Sequence, residues 1–328
     1  MGWPSDRRGG PGCGEWVPTA FCIRARFGVS AANSGVEMSG FVPPDPIGFM
    51  NIDKTDFRSM SVPELVRFFE VEGYVILPGI LGRAQIDRIQ SELRAAEMGH
   101  TSYSAAQTRS TVQPQWLSRG VAELIGFPPV MEFLHTLLGP EIVFTRGFFQ
   151  RTLPGSPGIS LHTDGQPHGS NLFGYEGSCP RLLRVLYYLD ELTTTRAPFR
   201  VLPRSHLSFH AEASPYVRYH SHPEELTLVV PAGSAVIIPS LVLHGSHPNL
   251  DTQPRELVQL GYRPAWAGPI APVEEWDPAL VSQAPEAARP YLKSLNTSGA
   301  QWQQEHKPAG MRFEAPALNV SRWNRPAS

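Results

Sequence analysis

In Leu161-His162-Thr163-Asp164-Gly165 a histidine and an aspartate stand two residues apart, just after a strand-like run and before a glycine turn. In extended backbone, residues i and i+2 project to the same side, so His162 and Asp164 can offer an imidazole nitrogen and a carboxylate oxygen to one point. Taken alone the triplet is weak, and a turn in which Asp164 caps its own backbone explains it more simply. A second histidine changes its meaning. Residues 231–249 read as a glycine turn, a buried strand, a proline-marked bend and a further strand ending on His244. Centring the next turn on Asn249-Leu250 predicts an antiparallel hairpin that sets His244 opposite Arg255. Two histidines and a carboxylate on neighbouring strands fill one face of an octahedron and leave three positions open, as in non-haem Fe(II) oxygenases. The Arg255 guanidinium can grip a carboxylate through two parallel hydrogen bonds, unless it is a rim arginine paired with Asp251 or Glu256. A zinc hydrolase needs one open position and gains nothing from that arginine.

Spacing is what separates these histidines from His168, His206, His210, His220, His222 and His247, which lie in polar, turn-rich stretches and are expected at the solvated surface.

The elements that must position the cluster can be read from periodicity. Ser61-Val62-Pro63-Glu64 has capping-box spacing, Leu65, Phe68 and Phe69 share a helical face, and Gly73 is a stop. Tyr74 to Leu77 is a short strand, Ile86, Ile89 and Leu93 mark a second helix, and Pro128 to Leu138 a third. Beyond Gly139, short runs of β-branched, leucine and aromatic residues alternate with Pro/Gly turns. They predict strands near 142–152, 159–163, 182–190, 199–203, 226–230, 235–238, 241–246 and 255–263. A mainly β fold results, a sandwich or jelly roll with a helical layer on one outer face. Between Pro278 and Leu295 helix returns in short pieces, because Pro285 and Pro290 interrupt it.

In the strand 181–190, alternation puts Leu183, Val185, Tyr187 and Leu189 on one face and Leu182, Arg184, Leu186 and Tyr188 on the other. If the apolar-aromatic face packs under the helices, Arg184 and Tyr188 point into the barrel, where a buried guanidinium needs an anionic partner. The opposite orientation sends Arg184 to solvent. Arg151, on the strand ahead of His162, carries the same ambiguity. All three are candidate substrate contacts.

Composition narrows the function classes. The 328 residues include 29 Gly and 33 Pro, too many for a helical bundle and ordinary for a turn-rich β fold. A net charge of −2 leaves no electrostatic surplus for nucleic acid or anionic lipid. Cys13, Cys22 and Cys179 are too few and scattered for a disulfide framework or a zinc site. With no secretory h-region and no stretch approaching a membrane span, the expected compartment is the cytoplasm. Residues 1–45 mix Gly, Pro, Ser and Arg without periodicity and are expected to be a poorly ordered extension, with Met38 and Met50 as alternative starts. Residues 46–328 are expected to form a single domain, its jelly-roll core spanning about 140–265.

The run from Gly73-Tyr74-Val75-Ile76-Leu77-Pro78-Gly79 through His162-Thr163-Asp164, Leu189-Asp190-Glu191, Val201-Leu202-Pro203-Arg204-Ser205-His206 and His244-Gly245-Ser246-His247-Pro248-Asn249 to Arg255 resembles the phytanoyl-CoA dioxygenase family. The resemblance covers about residues 60 to 265. It implies a double-stranded β-helix, a cupin-like jelly roll, with His162, Asp164 and His244 as Fe(II) ligands. Arg255, eleven residues beyond His244, would hold the far carboxylate of 2-oxoglutarate, and Ser246 would donate a hydroxyl to it. The activity implied is a dioxygenase that consumes dioxygen and 2-oxoglutarate, releases succinate and CO2, and oxidises a small organic molecule, most simply by hydroxylation. Two departures stand out. Thr195-Arg196-Ala197 replaces the family's Glu-Asn-Gly, and Pro203-Arg204-Ser205-His206 its Pro-Gly-Ser-His, which implies different turns there. The rival readings are a metal cupin catalysing isomerisation or hydrolysis without 2-oxoglutarate, and a non-catalytic jelly roll that binds a ligand. Neither has a use for Arg255.

Overall fold

The computed structural model describes residues 50–99, 105–164, 182–208, 214–269 and 272–298. The N-terminal extension, the boundary expected at residue 45, the three cysteines, His168, His210 and the end of the chain lie outside them.

The first helix starts as its spacing predicts. The Glu64 carboxylate accepts from the Ser61 backbone N–H at 2.8 Å and from its hydroxyl at 2.6 Å, and α1 (Val62–Glu72) ends at Gly73, whose φ of +80° lies in the left-handed region. β1 (Val75–Leu77) follows, then α2 (Arg83–Leu93), which buries Ile86, Ile89 and Leu93. The next strand, β2 (Thr108–Val112), has a polar sequence with no apolar alternation to betray it. It forms at a sheet edge because β3 (Ile142–Thr152) offers a partner. Between them lie α3 (Arg119–Leu124) and α4 (Pro128–Leu138). The Arg119–Leu138 stretch is apolar enough by composition to cross a membrane, with a mean hydropathy of 1.3, so the expectation that nothing approaches a span needs correction. Half of that stretch is buried within the protein, where Val121, Leu124, Val130, Phe133 and Leu134 join the core.

Every run expected to be a strand after Gly139 forms one. After β3 come β4 (Ile159–His162), β5 (Leu183–Tyr188), β6 (Phe199–Leu202), β7 (Leu226–Leu228), β8 (Ala235–Pro239), β9 (Leu243–Ser246) and β10 (Arg255–Pro264). They build two antiparallel sheets, a larger one in the order β1-β8-β5-β10-β3-β2 and a smaller one in the order β4-β9-β6-β7. This is the jelly-roll pattern. A short helix, α5 (Pro278–Gln283), and a turn of 3-10 helix at Arg289–Tyr291 complete the described C-terminal part, in the pieces that its prolines require.

The predicted hairpin does not form. β9 lies between β4 and β6 in the smaller sheet, and β10 between β5 and β3 in the larger. Because both edges of β9 are taken, residues 247–254 carry the chain across to the other sheet, a gap of about 10 Å that eight residues at ~3.3 Å each span easily. The strands beside His244 are therefore β4, with His162 in register, and β6, with Val201, and not β10.

Contacts settle which face of the larger sheet is which. Tyr187 and Tyr262 send their hydroxyls to the backbone carbonyls of Leu124 and Ile125 in the helical layer. Arg184 and Tyr188, on the other face of β5, turn toward the smaller sheet. Alternation along β5 is thus as expected, with the apolar-aromatic face under the helices.

The two departures from family sequence keep left-handed backbone without glycine. Ala197 has φ +46° and Arg204 φ +64°, a region these residues adopt less readily than glycine.

Candidate active site

The inner face of the smaller sheet brings His162, Asp164 and His244 together, with one ligand atom from each lying within 4.8 Å of the others. His162 Nε2 is 3.9 Å from Asp164 Oδ1, and His244 Nε2 is 3.9 Å from Asp164 Oδ2. Each imidazole has its other nitrogen on a carbonyl: His162 Nδ1–H donates to Ser160 O at 2.8 Å and His244 Nδ1–H to Val242 O at 3.0 Å. Those bonds leave both Nε2 lone pairs facing inward, the tautomer a metal ligand needs. Burial pushes the His244 imidazole down to about 4, so it is neutral at pH 7. Burial works to raise Asp164, but His244, Arg184 and His162 outweigh it and hold the carboxyl below its usual range. An imidazole that burial keeps neutral, a second imidazole and a carboxylate therefore converge on one point. A divalent cation satisfies such a donor set.

Gly245 is what allows the two histidine-bearing strands to approach. A Cβ there would lie 2.3 Å from Ile159 O and 3.0 Å from Ser160 O. Gly245→Ala is expected to push β4 off β9 at a cost of about 1–3 kcal/mol. It should lower both Tm and the affinity for Ni(II), read by thermal melting and titration calorimetry.

Across the barrel, Arg255 opens β10 on the inner face. Its side chain is buried, donates from Nη2 to Thr152 Oγ1 at 2.8 Å, and lies 5.6 Å from the centroid of the Tyr188 ring. Among the described residues its Nε has no partner, and neither does the buried Ser246 Oγ. The carboxylates considered for it are committed elsewhere, Asp251 to the N–H of Gln253 and Glu256 to Arg151 and Gln90. Among the described residues no carboxylate pairs with Arg255. Buried donors without acceptors fit a carboxylate-bearing cosubstrate.

Asn249 sets this arginine's approach. Fully buried in the crossing segment, it donates from Nδ2 to Thr152 O and Gln253 O, both at 3.0 Å, and accepts from the Asp251 N–H at 3.2 Å. Asn249→Ala strands these backbone groups, and we expect a loss of about 1–3 kcal/mol in stability. The dissociation constant for 2-oxoglutarate should rise more than that for metal, which calorimetry of the two ligands separates.

The remaining candidates fare differently. Arg184 does point inward and is 3% exposed, but its partner is a ligand of the cluster itself: Nε donates to Asp164 Oδ2 at 2.9 Å. Tyr188 lies beneath Arg255 instead of reaching a substrate space of its own. Arg151 is not brought to the site. It turns to the helical face, where it pairs with Glu256 at 2.6 Å beside Gln90 of α2. His247 is also not at the solvated surface; it packs on β7 with Nε2 2.9 Å from Thr227 Oγ1, and burial pushes it down to about 4. Thr152 and Asn249 were not legible as site residues, since their roles depend on strands far apart in sequence.

A jelly roll that gathers His-x-Asp and a distal histidine on one inner face, with a buried arginine opposite that no carboxylate among the described residues pairs, defines the class of cupin-like non-haem iron oxygenases. The family model for phytanoyl-CoA dioxygenase (PhyH) matches residues 69–257, and the chain belongs to this family of iron- and 2-oxoglutarate-dependent enzymes. No curated protein matches it in sequence. Among solved structures it is similar to HygX from Streptomyces hygroscopicus with nickel, 2-oxoglutarate and hygromycin B bound, at 18% identity and TM-score 0.53, over 61% of this chain and 86% of that one. It is also similar to the epimerase SnoN with Fe3+, alpha ketoglutarate and nogalamycin RO, at 16% identity and TM-score 0.54, over 66% and 92%. A third is the carbocyclase SnoK from nogalamycin biosynthesis, at 18% identity and TM-score 0.52, over 66% and 88%. At these identities the likeness bears on the fold.

Proposed function

We propose that this protein hydroxylates a small organic molecule, with Fe(II) held by His162, Asp164 and His244 and 2-oxoglutarate gripped at its far carboxylate by Arg255 and Ser246. The observation that carries the reading is an all-acceptor triad with two buried donors that have no partner among the described residues, Ser246 Oγ two residues from His244 on β9 and Arg255 Nε on the facing sheet. When bound, iron with 2-oxoglutarate and dioxygen supplies the oxidising power, drawn from decarboxylation of the cosubstrate to succinate.

The chain's own residues do the rest. His162 and His244 offer their Nε2 atoms, and Asp164 contributes the one negative charge of the triad. Arg255 fixes the cosubstrate's orientation through a two-donor fork, while Tyr188 and Thr152 hold the guanidinium in place. The apolar inner positions Leu186, Val236, Ile238 and Leu257 keep bulk water from the site. Asp164 is a carboxylate and not a small residue that would leave room for a halide, which favours oxygen transfer over halogenation. We place the protein in the cytoplasm, acting on a small molecule.

The test is the uncoupled conversion of 2-oxoglutarate to succinate by purified protein with Fe(II), followed by a screen for compounds that accelerate it. A product heavier by one oxygen supports hydroxylation, and a product lighter by two hydrogens replaces it with desaturation or ring formation. Failure to bind or consume 2-oxoglutarate overturns the reading.

A further inference from the structure

The inner face of the larger sheet carries a row that the proposed chemistry does not use. In the β-ladder, Gly261 of β10 stands directly between Arg146 of β3 and Arg184 of β5. Cross-strand neighbours share a face, so two guanidinium-bearing side chains flank a position with no side chain of its own. The glycine is needed for this. A Cβ at 261 would come within 3.2 Å of Arg146 Cγ and 2.7 Å of Thr145 Oγ1. Both arginines act electrostatically on Asp164, the acid bonded to Arg184. Two guanidiniums thus bear on a single carboxylate, and Asp164 must also serve a metal.

Two further observations point to an anionic ligand. Arg184 is 3% exposed, yet its Nη1 is buried with no hydrogen-bond partner among the described residues. The row also lies at the opposite end of the inner face from Arg255, six residues and about 20 Å along β10. A cosubstrate held at Arg255 therefore approaches the metal from one end, and the paired arginines face it from the other. Between them on β3 and β10 the inward residues are Phe148, Gln150 and Gln259, which are half-buried, and Leu257, which is buried.

Resting on the proposed oxygenase reading, we infer that Arg146 and Arg184 form an oxyanion subsite that binds a carboxylate or phosphate group of the primary substrate. Arg184 serves both sites, because its Nε steadies Asp164 while its other donors face the ligand. Arg146 stands on β3, a strand that carries no member of the triad, so it is the cleaner probe.

The experiment loads the full chain with Ni(II) and then 2-oxoglutarate, following each by calorimetry, and titrates the loaded protein with inorganic phosphate. The wild type should bind phosphate, Arg146→Gln should weaken that binding about tenfold or more, and Arg146→Lys should recover part of it. If Ni(II) or 2-oxoglutarate fails to bind the wild type, the oxygenase reading is at fault. If both bind but phosphate does not, the subsite is refuted. Phosphate binding indifferent to Arg146→Gln would mean that it sits on the metal alone, and would also refute it. A parallel fall in 2-oxoglutarate affinity would assign the arginines to the cosubstrate and overturn the inference.

Discussion

Asp164→Ala should abolish 2-oxoglutarate-dependent oxidation and lower the affinity for Fe(II) or Ni(II). The substitution removes a ligand and the only negative charge in the triad, leaving two imidazoles that bind divalent ions far less tightly. It also strips Arg184 of its partner. Breaking a buried ion pair by removing one member costs up to about 3–5 kcal/mol, and the Asp164 side chain, 21% exposed, places this case at or below the lower end. A drop in Tm is therefore expected even without metal. Asp164→Asn separates the two effects, because the amide oxygen still accepts from Arg184 Nε while the charge is gone. That variant should fold nearly as well as the wild type and remain inactive. Full activity in either variant would remove Asp164 from the metal site.

Arg255→Lys should weaken 2-oxoglutarate binding much more than metal binding. A lysine replaces a planar two-donor fork with a single ammonium, losing one charge-assisted hydrogen bond worth about 1.5–3 kcal/mol, or roughly tenfold to more than a hundredfold in affinity. The shorter reach of its donors also gives up Thr152 Oγ1 and the face of Tyr188. The measurement is the dissociation constant for 2-oxoglutarate on the Ni(II)-loaded protein beside that for Ni(II) itself. Equal loss of both affinities would mean that the substitution disturbs the fold. Unchanged 2-oxoglutarate affinity would leave the partnerless donors of Arg255 and Ser246 without a ligand.

Local patterns carried much of this protein. The capping spacing of Ser61 and Glu64, the helical repeat of Ile86, Ile89 and Leu93 and the turn-bounded apolar runs after Gly139 each became the element they predict, because each depends on contacts within a few residues. The two-residue spacing in His162-Thr163-Asp164 is equally local, since extended backbone alone puts both side chains on one side. Alternation in β5 likewise assigned Arg184 and Tyr188 to one face, although only the helices above Tyr187 decided that this face is the inner one.

What the sequence did not determine is which strand lies beside which. β9 and β10 are consecutive and look like a hairpin, yet β9 is occupied on both edges by β4 and β6, so the next strand must cross to the other sheet. Strand pairing is a contest among distant segments, and its outcome is set by the packing of the whole barrel. The same contest sent Arg151 outward to Glu256, drew a polar β2 onto the edge of β3, and bonded Arg184 to Asp164. It also set Arg146 beside Gly261 and Arg184, from three segments separated by dozens of residues. Residue types near one another in the chain announce a ligand pair; a binding site is completed by residues that only tertiary packing makes neighbours.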